Sequence, residues 1–328
     1  MKLDKIFSSH MVFAHGKPIR IYGTGDKAVT VVFSEVEKSV VPENGKWLVE
    51  FEPMDCGGPY VLTAESDGEK TVLSDIYVGK VFLFAGQSNM QFYLKNVNFS
   101  QDSYDDERLR IFVTERLQKG ELLTPDDGWK VCTEETAKNF SAIGYIASSE
   151  IIRRDGVHVG AVGCYQGASV IESWLPKGTY EKLGIEIPID LKTVSHVCEE
   201  YSAWNGEATL YEFAFSQVIP FSFNAVVWYQ GESDSTVAEA EIYADAVCAL
   251  IDIWRNELRD GELPFVIVQI ADFDGRRNEG WYGIQRAQEK IPDMRKNVRL
   301  VVSRDVCESD DIHPKNKSEL SHRIAELL

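Results

Sequence analysis

The sequence has little basic charge, few histidines, no long apolar run and no paired-cysteine motif. Over 328 residues, 34 Lys and Arg stand against 52 Asp and Glu, a formal net charge of −18. The basic residues are scattered and form no dense run, so polyanions are repelled rather than gathered. Nucleic acid and anionic membrane surfaces are therefore not expected as partners. No apolar stretch approaches the ~20 residues that a membrane-spanning helix requires. The opening segment, Met1 to Ser8, carries Lys2, Asp4 and Lys5 and offers no secretory h-region. A cytoplasmic location is the expectation. Cys56, Cys132, Cys164, Cys198, Cys248 and Cys307 are widely spaced, without Cys-x-x-Cys or a partnering His pattern. That argues against zinc and, in a reducing compartment, for free thiols. No low-complexity tract or fixed-period repeat is visible. The 44% hydrophobic and 26% charged content is ordinary for a globular chain, which excludes general disorder.

What is present divides near residue 75. The first part reads as short β-strands: 17–23, 28–33, 46–51 and 59–64, punctuated by Glu43-Asn44-Gly45 and Gly57-Gly58. This predicts a small N-terminal β-sandwich domain over 1–75. From about residue 76 the strands become nearly all apolar, as in strands buried on both faces of a parallel sheet. They are 78–85, 157–162, 224–229, 264–270 and 299–303. Helical periodicity falls between or after them, over 140–154, 238–259 and 318–328. Alternating strand and helix over 76–328 predicts an α/β, doubly wound parallel sheet with helices on both faces. Ligands of such sheets sit beyond the carboxyl ends of the strands, and four polar clusters fall there.

The first cluster is Gly86-Gln87-Ser88-Asn89-Met90. A serine between a buried strand and a helix start can serve as a nucleophile beside free backbone N–H groups, or simply as a helix cap. The second is Gln166-Gly167-Ala168-Ser169, where Gly167 permits close approach of backbone to ligand, or marks a plain turn. The third is Trp228-Tyr229-Gln230-Gly231-Glu232-Ser233. There Gln230 can donate to an oxyanion, Glu232 can orient an imidazole, and Trp228 and Tyr229 offer flat surface for a sugar. The fourth is Asp310-Asp311-Ile312-His313-Pro314. Asp310, or Asp311 one residue nearer, can hold His313 while its other ring nitrogen takes a serine proton. A surface His in an acidic turn is the plainer reading. His158 lies within a strand, and no other histidine sits beside an acid at comparable spacing in a plausible strand-end loop. Taken together the clusters supply a nucleophile, oxyanion donors, a base and an orienting carboxylate. A glycosidase pair such as Glu232 with Asp310 leaves Ser88 and His313 without a role.

In this order, Gly-Gln-Ser-Asn-Met, Trp-Tyr-Gln-Gly-Glu-Ser and Asp-x-x-His-Pro resemble the SGNH hydrolases. More narrowly they resemble the sialate O-acetylesterase-like carbohydrate esterases, a group that includes acetylxylan esterases. The likeness extends to Phe7-Ser8-Ser9-His10-Met11-Val12, Gly45-Lys46-Trp47, Gly57-Gly58-Pro59-Tyr60, residues 140–145 and residues 311–317. It implies a flavodoxin-like sheet and a serine esterase that removes O-acetyl groups from a sugar through an acetyl-enzyme. Ser88 is then the nucleophile and His313 the acid/base. Asp310 orients His313, with Glu232 sharing the task and Asp311 as the alternative. The oxyanion donors are the N–H of Ser88 and Gly167 and the side chain of Gln230. Gln87, Asn89, Trp228 and Tyr229 are expected to contact substrate, and no metal or cofactor is needed. The expected partner is a small acetylated sugar or oligosaccharide, sialic acid and xylan fragments both being open. A non-catalytic carbohydrate-binding protein of the same fold is the alternative. Two departures stand out. The family commonly has Trp-Gly-Gly-Thr where this chain has Gln166-Gly167-Ala168-Ser169, and the chain has no room for a further β insertion that many relatives carry. Cleft walls are then missing or supplied by a second subunit, which leaves a homo-oligomer open.

Overall fold

Period-two alternation of buried and exposed residues shapes the N-terminal region of the computed structural model, which describes residues 1–118, 121–123 and 128–328. Ile19–Thr24 pairs antiparallel with Lys46–Phe51 and, on its other edge, with Lys2–Leu3. A second set pairs Val29–Phe33 with Val36–Val40 and with Gly57–Ser66. Gly57–Ser66 in turn pairs with a long strand, β1 (Glu69–Gly86). The first half of β1 alternates between exposed and half-buried positions, whereas Val81 to Gly86 are all buried. One strand therefore belongs to the N-terminal region at its start and to the centre of the large sheet at its end. The expected division between residues 75 and 76 falls inside it.

The remaining strands are β2 (Asp106–Val113), β3 (Val159–Tyr165), β4 (Ala225–Tyr229), β5 (Phe265–Val268) and β6 (Val298–Val301). Their order is β2-β3-β1-β4-β5-β6, every neighbouring pair parallel, with Lys130–Cys132 antiparallel on the β2 edge. The register puts Tyr165, Gly86 and Tyr229 side by side. The ends of β3, β1 and β4 thus open onto one place. The architecture is a mixed α/β fold built on a large mixed sheet.

Of the expected helices, α2 (Ala142–Asp155) is capped by Ser141, whose Oγ accepts the Gly144 N–H, and stops at Gly156 in the left-handed region. Helix α3 (Val237–Glu257) begins with a reciprocal Thr236–Glu239 capping box. The short α1 is Ser88–Gln91, and α5 is Ser318–Leu327. Strand β2 and the helix after β5 are among the elements not anticipated. Strand β2 reads Asp-Glu-Arg-Leu-Arg-Ile-Phe-Val, too charged for a core strand. It is stable because the buried Arg110 reaches Asp75 Oδ2 at 2.6 Å. Helix α4 (Glu279–Met294) packs on α3 as α5 packs on α2. All six cysteines are unpaired. Among the described residues no helix is long and apolar enough to cross a membrane.

Candidate active site

The chain turns sharply where β1 ends. Gly86 has φ +135°, and a Cβ there would stand 2.0 Å from the Tyr229 carbonyl oxygen. Only glycine lets the two backbones lie so close. Tyr229 O accepts the Gln87 N–H at 2.9 Å, and Gly86 O accepts the Gln166 N–H at 3.0 Å. These bonds staple the ends of β1, β3 and β4 and leave Ser88 at the start of the one-turn α1. Opposite it lies Gly167, where a Cβ would stand 3.8 Å from that of Ser88. The Gly167 N–H is held by Gln91 Oε1 at 2.8 Å. The Ser88 N–H has no hydrogen-bond partner among the described residues. Ala168 sits at φ +54°, a conformation that costs a residue with a Cβ about 1 kcal/mol. The glycine of the Gly-Gly pattern would adopt it freely.

His313 comes to the same cavity from the loop between β6 and α5. Its ring stacks on Phe92 at 5.4 Å between centroids, 11° from parallel. Its backbone N–H is accepted by Asp311 Oδ1 at 2.9 Å. Burial, and then the nearby Lys317 cation, push the His313 imidazole below its ordinary pKa, while Asp311 pulls the other way. Ser88, Gly167, Arg116, Arg276, Glu232 and His313 line one cavity of about 660 Å³, with Tyr93, Tyr201 and Trp204 on its walls.

The orienting carboxylate is not where the spacing suggests. Asp310 is exposed and makes no hydrogen bond to His313 among the described residues. Glu232 is buried and lines the cavity, but its Oε1 accepts from Asn89 Nδ2 at 2.6 Å and its Oε2 has no partner. Burial raises the Glu232 pKa, which the Asn89 bond partly offsets. Gln230 is not at the cavity either. Its Nε2 donates to Ser169 O at 3.0 Å and to Asp234, and its Oε1 accepts from Tyr243. With both N–H groups engaged, Gln230 is a fully buried brace rather than an open donor. Trp228 and Tyr229 are likewise wholly buried, because β4 is a central strand, and do not meet solvent. Asn89 is buried too, donating to Glu232 and at 2.9 Å to the Ile312 carbonyl. Gln87 does line the cavity, although its Oε1 accepts the Gly231 N–H at 3.1 Å.

The sequence offers Arg276, Arg277 and Arg286, in or near the loop after strand 264–270, as binders of a sugar carboxylate or as a solvated loop, whereas Arg116, Tyr93, Tyr201 and Trp204 gave no sequence signal. Arg276 reaches in and donates to the Glu232 carbonyl at 3.0 Å. Its neighbours Arg277 and Arg286 stay outside, paired with Asp274 and Glu279. Arg116 lies 5.7 Å over the Tyr93 ring, and its Nε has no hydrogen-bond partner among the described residues. The wall carrying Val194, Ser195, Tyr201 and Trp204 is clasped from behind to α3 and to the turn 171–174 after β3. His196 Nδ1 stands 3.1 Å from Glu239 Oε1 and its Nε2 3.7 Å from Glu172 Oε2, where Lys192 also binds at 2.7 Å. Burial alone would depress the His196 pKa, but Glu172 and Glu239, with Asp234 nearby, raise it to about 9. His196, Asp234 and Glu239 place ligand-capable atoms within 4.8 Å of one another. The imidazole faces Glu239 and Glu172, while Asp234 accepts from the Ile171 N–H and Gln230, so the cluster reads as an ion-paired clasp.

Comparison with known proteins gives a consistent picture. The family model described as carbohydrate esterase, sialic acid-specific acetylesterase matches residues 78–328. The rat sialate O-acetylesterase is 24% identical over 368 residues, covering 92% of this chain and 68% of the rat protein. The human sialate O-acetylesterase is 24% identical over 349 residues, covering 92% of this chain and 65% of the human one. The chain thus spans about two thirds of the length of these relatives. The crystal structure of a carbohydrate acetylesterase from Xanthomonas citri superimposes with a TM-score of 0.85 at 29% identity, over 99% of this chain and 74% of that one.

Proposed function

The chain belongs to the sialic acid-specific acetylesterase family of carbohydrate esterases, and from that premise we propose that it removes O-acetyl groups from a sugar by serine chemistry at Ser88. It is a carboxylic ester hydrolase by family. The observation that carries the residue assignment is that Ser88 and His313, far apart in sequence, face one cavity with Gly167 against the serine. Ser88 Oγ attacks the acetyl carbonyl as His313 takes its proton. His313 is neutral near pH 7, since burial and Lys317 hold its pKa down, so it is ready as a base. The oxyanion is met by the free Ser88 N–H, and by the Gly167 N–H once Gln91 turns aside. Each such donor lowers the barrier by roughly 3 kcal/mol. His313 then protonates the sugar oxygen, and water, activated by the same imidazole, releases acetate. Stacking on Phe92 and the Asn89 tether at Ile312 orient His313 in place of Asp310.

The strand order reverses direction at β1, which supports a doubly wound, flavodoxin-like sheet over 76–328 behind a small β-sandwich over 1–75. For the substrate, Arg116 and Arg276 at the cavity favour an acidic sugar such as sialate. Tyr93, Tyr201 and Trp204 favour a neutral glycan as the second reading, by stacking on sugar faces. Acetate release from acetylated sialic acids and acetylated xylo-oligosaccharides, with Ser88→Ala as control, tests both levels. Ser88→Ala is expected to be inactive on every substrate while melting like wild type. Wild-type rates in that variant would overturn the mechanism.

A further inference from the structure

Lys317 is 1% exposed, at the start of α5, and acts on His313 without lining the cavity. Its Nζ donates to Asn89 Oδ1 at 2.7 Å and lies 5.5 Å from the centre of the Tyr229 ring and 5.9 Å from that of Phe92. An ammonium can only donate. The Asn89 atom facing it must therefore be the oxygen, and the amide nitrogen must point the other way. There it meets Glu232 Oε1 at 2.6 Å and the Ile312 carbonyl at 2.9 Å. Without the cation, Asn89 Oδ1 loses its donor and the amide is held only through its nitrogen, by Glu232 and the Ile312 carbonyl. Asn89 adjoins Ser88, Ile312 adjoins His313, and Phe92 stacks on the His313 ring. One buried cation thus touches both halves of the site without lining the cavity.

We propose that Lys317 is a positioning residue for the ester hydrolysis, its ammonium locking the Asn89 amide so that the serine helix and the histidine loop keep one spacing. This rests on Ser88 and His313 acting as described above. A second consequence is electrostatic. The charged groups around His313 are Asp311 on its own loop, Lys317 on α5 and, across the cavity, Glu232, Arg276, Arg116 and Glu200. Of these, Lys317 opposes protonation of His313 from the buried side. Removing its charge lets His313 take a proton at higher pH.

Lys317→Met keeps an unbranched stem on the aromatic rings and removes the donor and the charge. The assay is the pH profile of kcat and KM on p-nitrophenyl acetate, with the full chain. The expected result is a loss in kcat of roughly 10- to 100-fold, a KM within a few-fold of wild type, and an acidic limb moved to higher pH. Lys317→Arg, which keeps the charge, is expected to return the limb toward its wild-type position. A folded Lys317→Met with an unchanged limb overturns the proposal, whether kcat falls or not, because a merely structural role would leave the limb in place. If Lys317→Met does not fold, Asn89→Asp carries the same test. Its carboxylate neutralises Lys317 and loses both amide donors, so the limb must move up and kcat must fall. Ser88→Ala runs alongside: activity there would refute the serine mechanism itself, and its loss leaves the Lys317 result to be judged alone.

Discussion

Replacing His196 with Gln removes the cation at the centre of the clasp behind the cavity wall, and the effect should depend on pH in a defined direction. The imidazole has an ordinary pKa of 6.5, which burial would lower, but Glu172 and Glu239 raise it to about 9 in the folded chain. Below the unfolded value both states hold the proton and the ion pairs stabilise the fold in full. Between 6.5 and about 9 the folded state keeps a proton that the unfolded chain has released, so stability is lost as pH rises. Above that window nothing of it remains. The interval corresponds to about 3 kcal/mol at ~1.4 kcal/mol per pH unit. Gln can hydrogen-bond but cannot carry the charge. Groups remote from His196 cancel in the difference between the proteins, whereas Asp234, pushed up to about 7 by burial and Glu239 and pulled down by His196, rises further in the variant, so about 3 kcal/mol is the upper bound of the change. Urea unfolding of wild type and His196→Gln at about pH 6 and about pH 10, both outside the window, measures that difference. Wild type should be the more stable at the lower pH, and the gap should shrink by up to about 3 kcal/mol at the higher. A gap that stays constant with pH would mean that His196 is not a cation in the fold, and the clasp would have to be abandoned.

Asp310→Asn should change kcat/KM by less than about threefold, because the carboxylate is exposed and unbonded to His313. A triad acid costs on the order of 10⁴ when made an amide, so steady-state rates on p-nitrophenyl acetate separate the cases, and a loss beyond a hundredfold would restore Asp310 to the triad. Gln230→Leu should lower stability by roughly 2 kcal/mol by stripping buried partners from Asp234 and Ser169. Its kcat should stay within a few-fold of wild type below the melting transition. A kcat reduced 10²- to 10³-fold with unaltered melting is the signature of an oxyanion donor and would contradict the brace.

The sequence made some parts of this molecule legible and left others hidden, for physical reasons. Apolar runs and helical periodicity are local, so the strands at 78–85 and 224–229 and a helix over 238–259 were readable from the residues alone. Strand β2 was not: Arg108 pairs with Asp106 within the strand, but the buried Arg110 is neutralised by Asp75, distant in sequence. The site shows the same limit. That Ser88, Gly167 and His313 lie near strand ends follows from alternation of strand and helix. Side-chain direction does not follow: Gln87 and Gln230 both stand at strand ends, and only the first lines the cavity. Lys317, within Pro314-Lys315-Asn316-Lys317, looks like a solvated charge until packing of α5 buries it. His196 has no acid beside it in sequence, and its carboxylates arrive from Glu172 and from α3.

In the proposed mechanism Ser88 carries the acetyl group between two half-reactions. Rapid acid quenching during turnover of an acetylated sugar, followed by digestion and mass spectrometry, looks for that group directly. The expected result is one acetyl group on the peptide containing Ser88, absent from Ser88→Ala and absent without substrate. Full turnover with no acetylated Ser88 peptide, and with activity retained in Ser88→Ala, would contradict it.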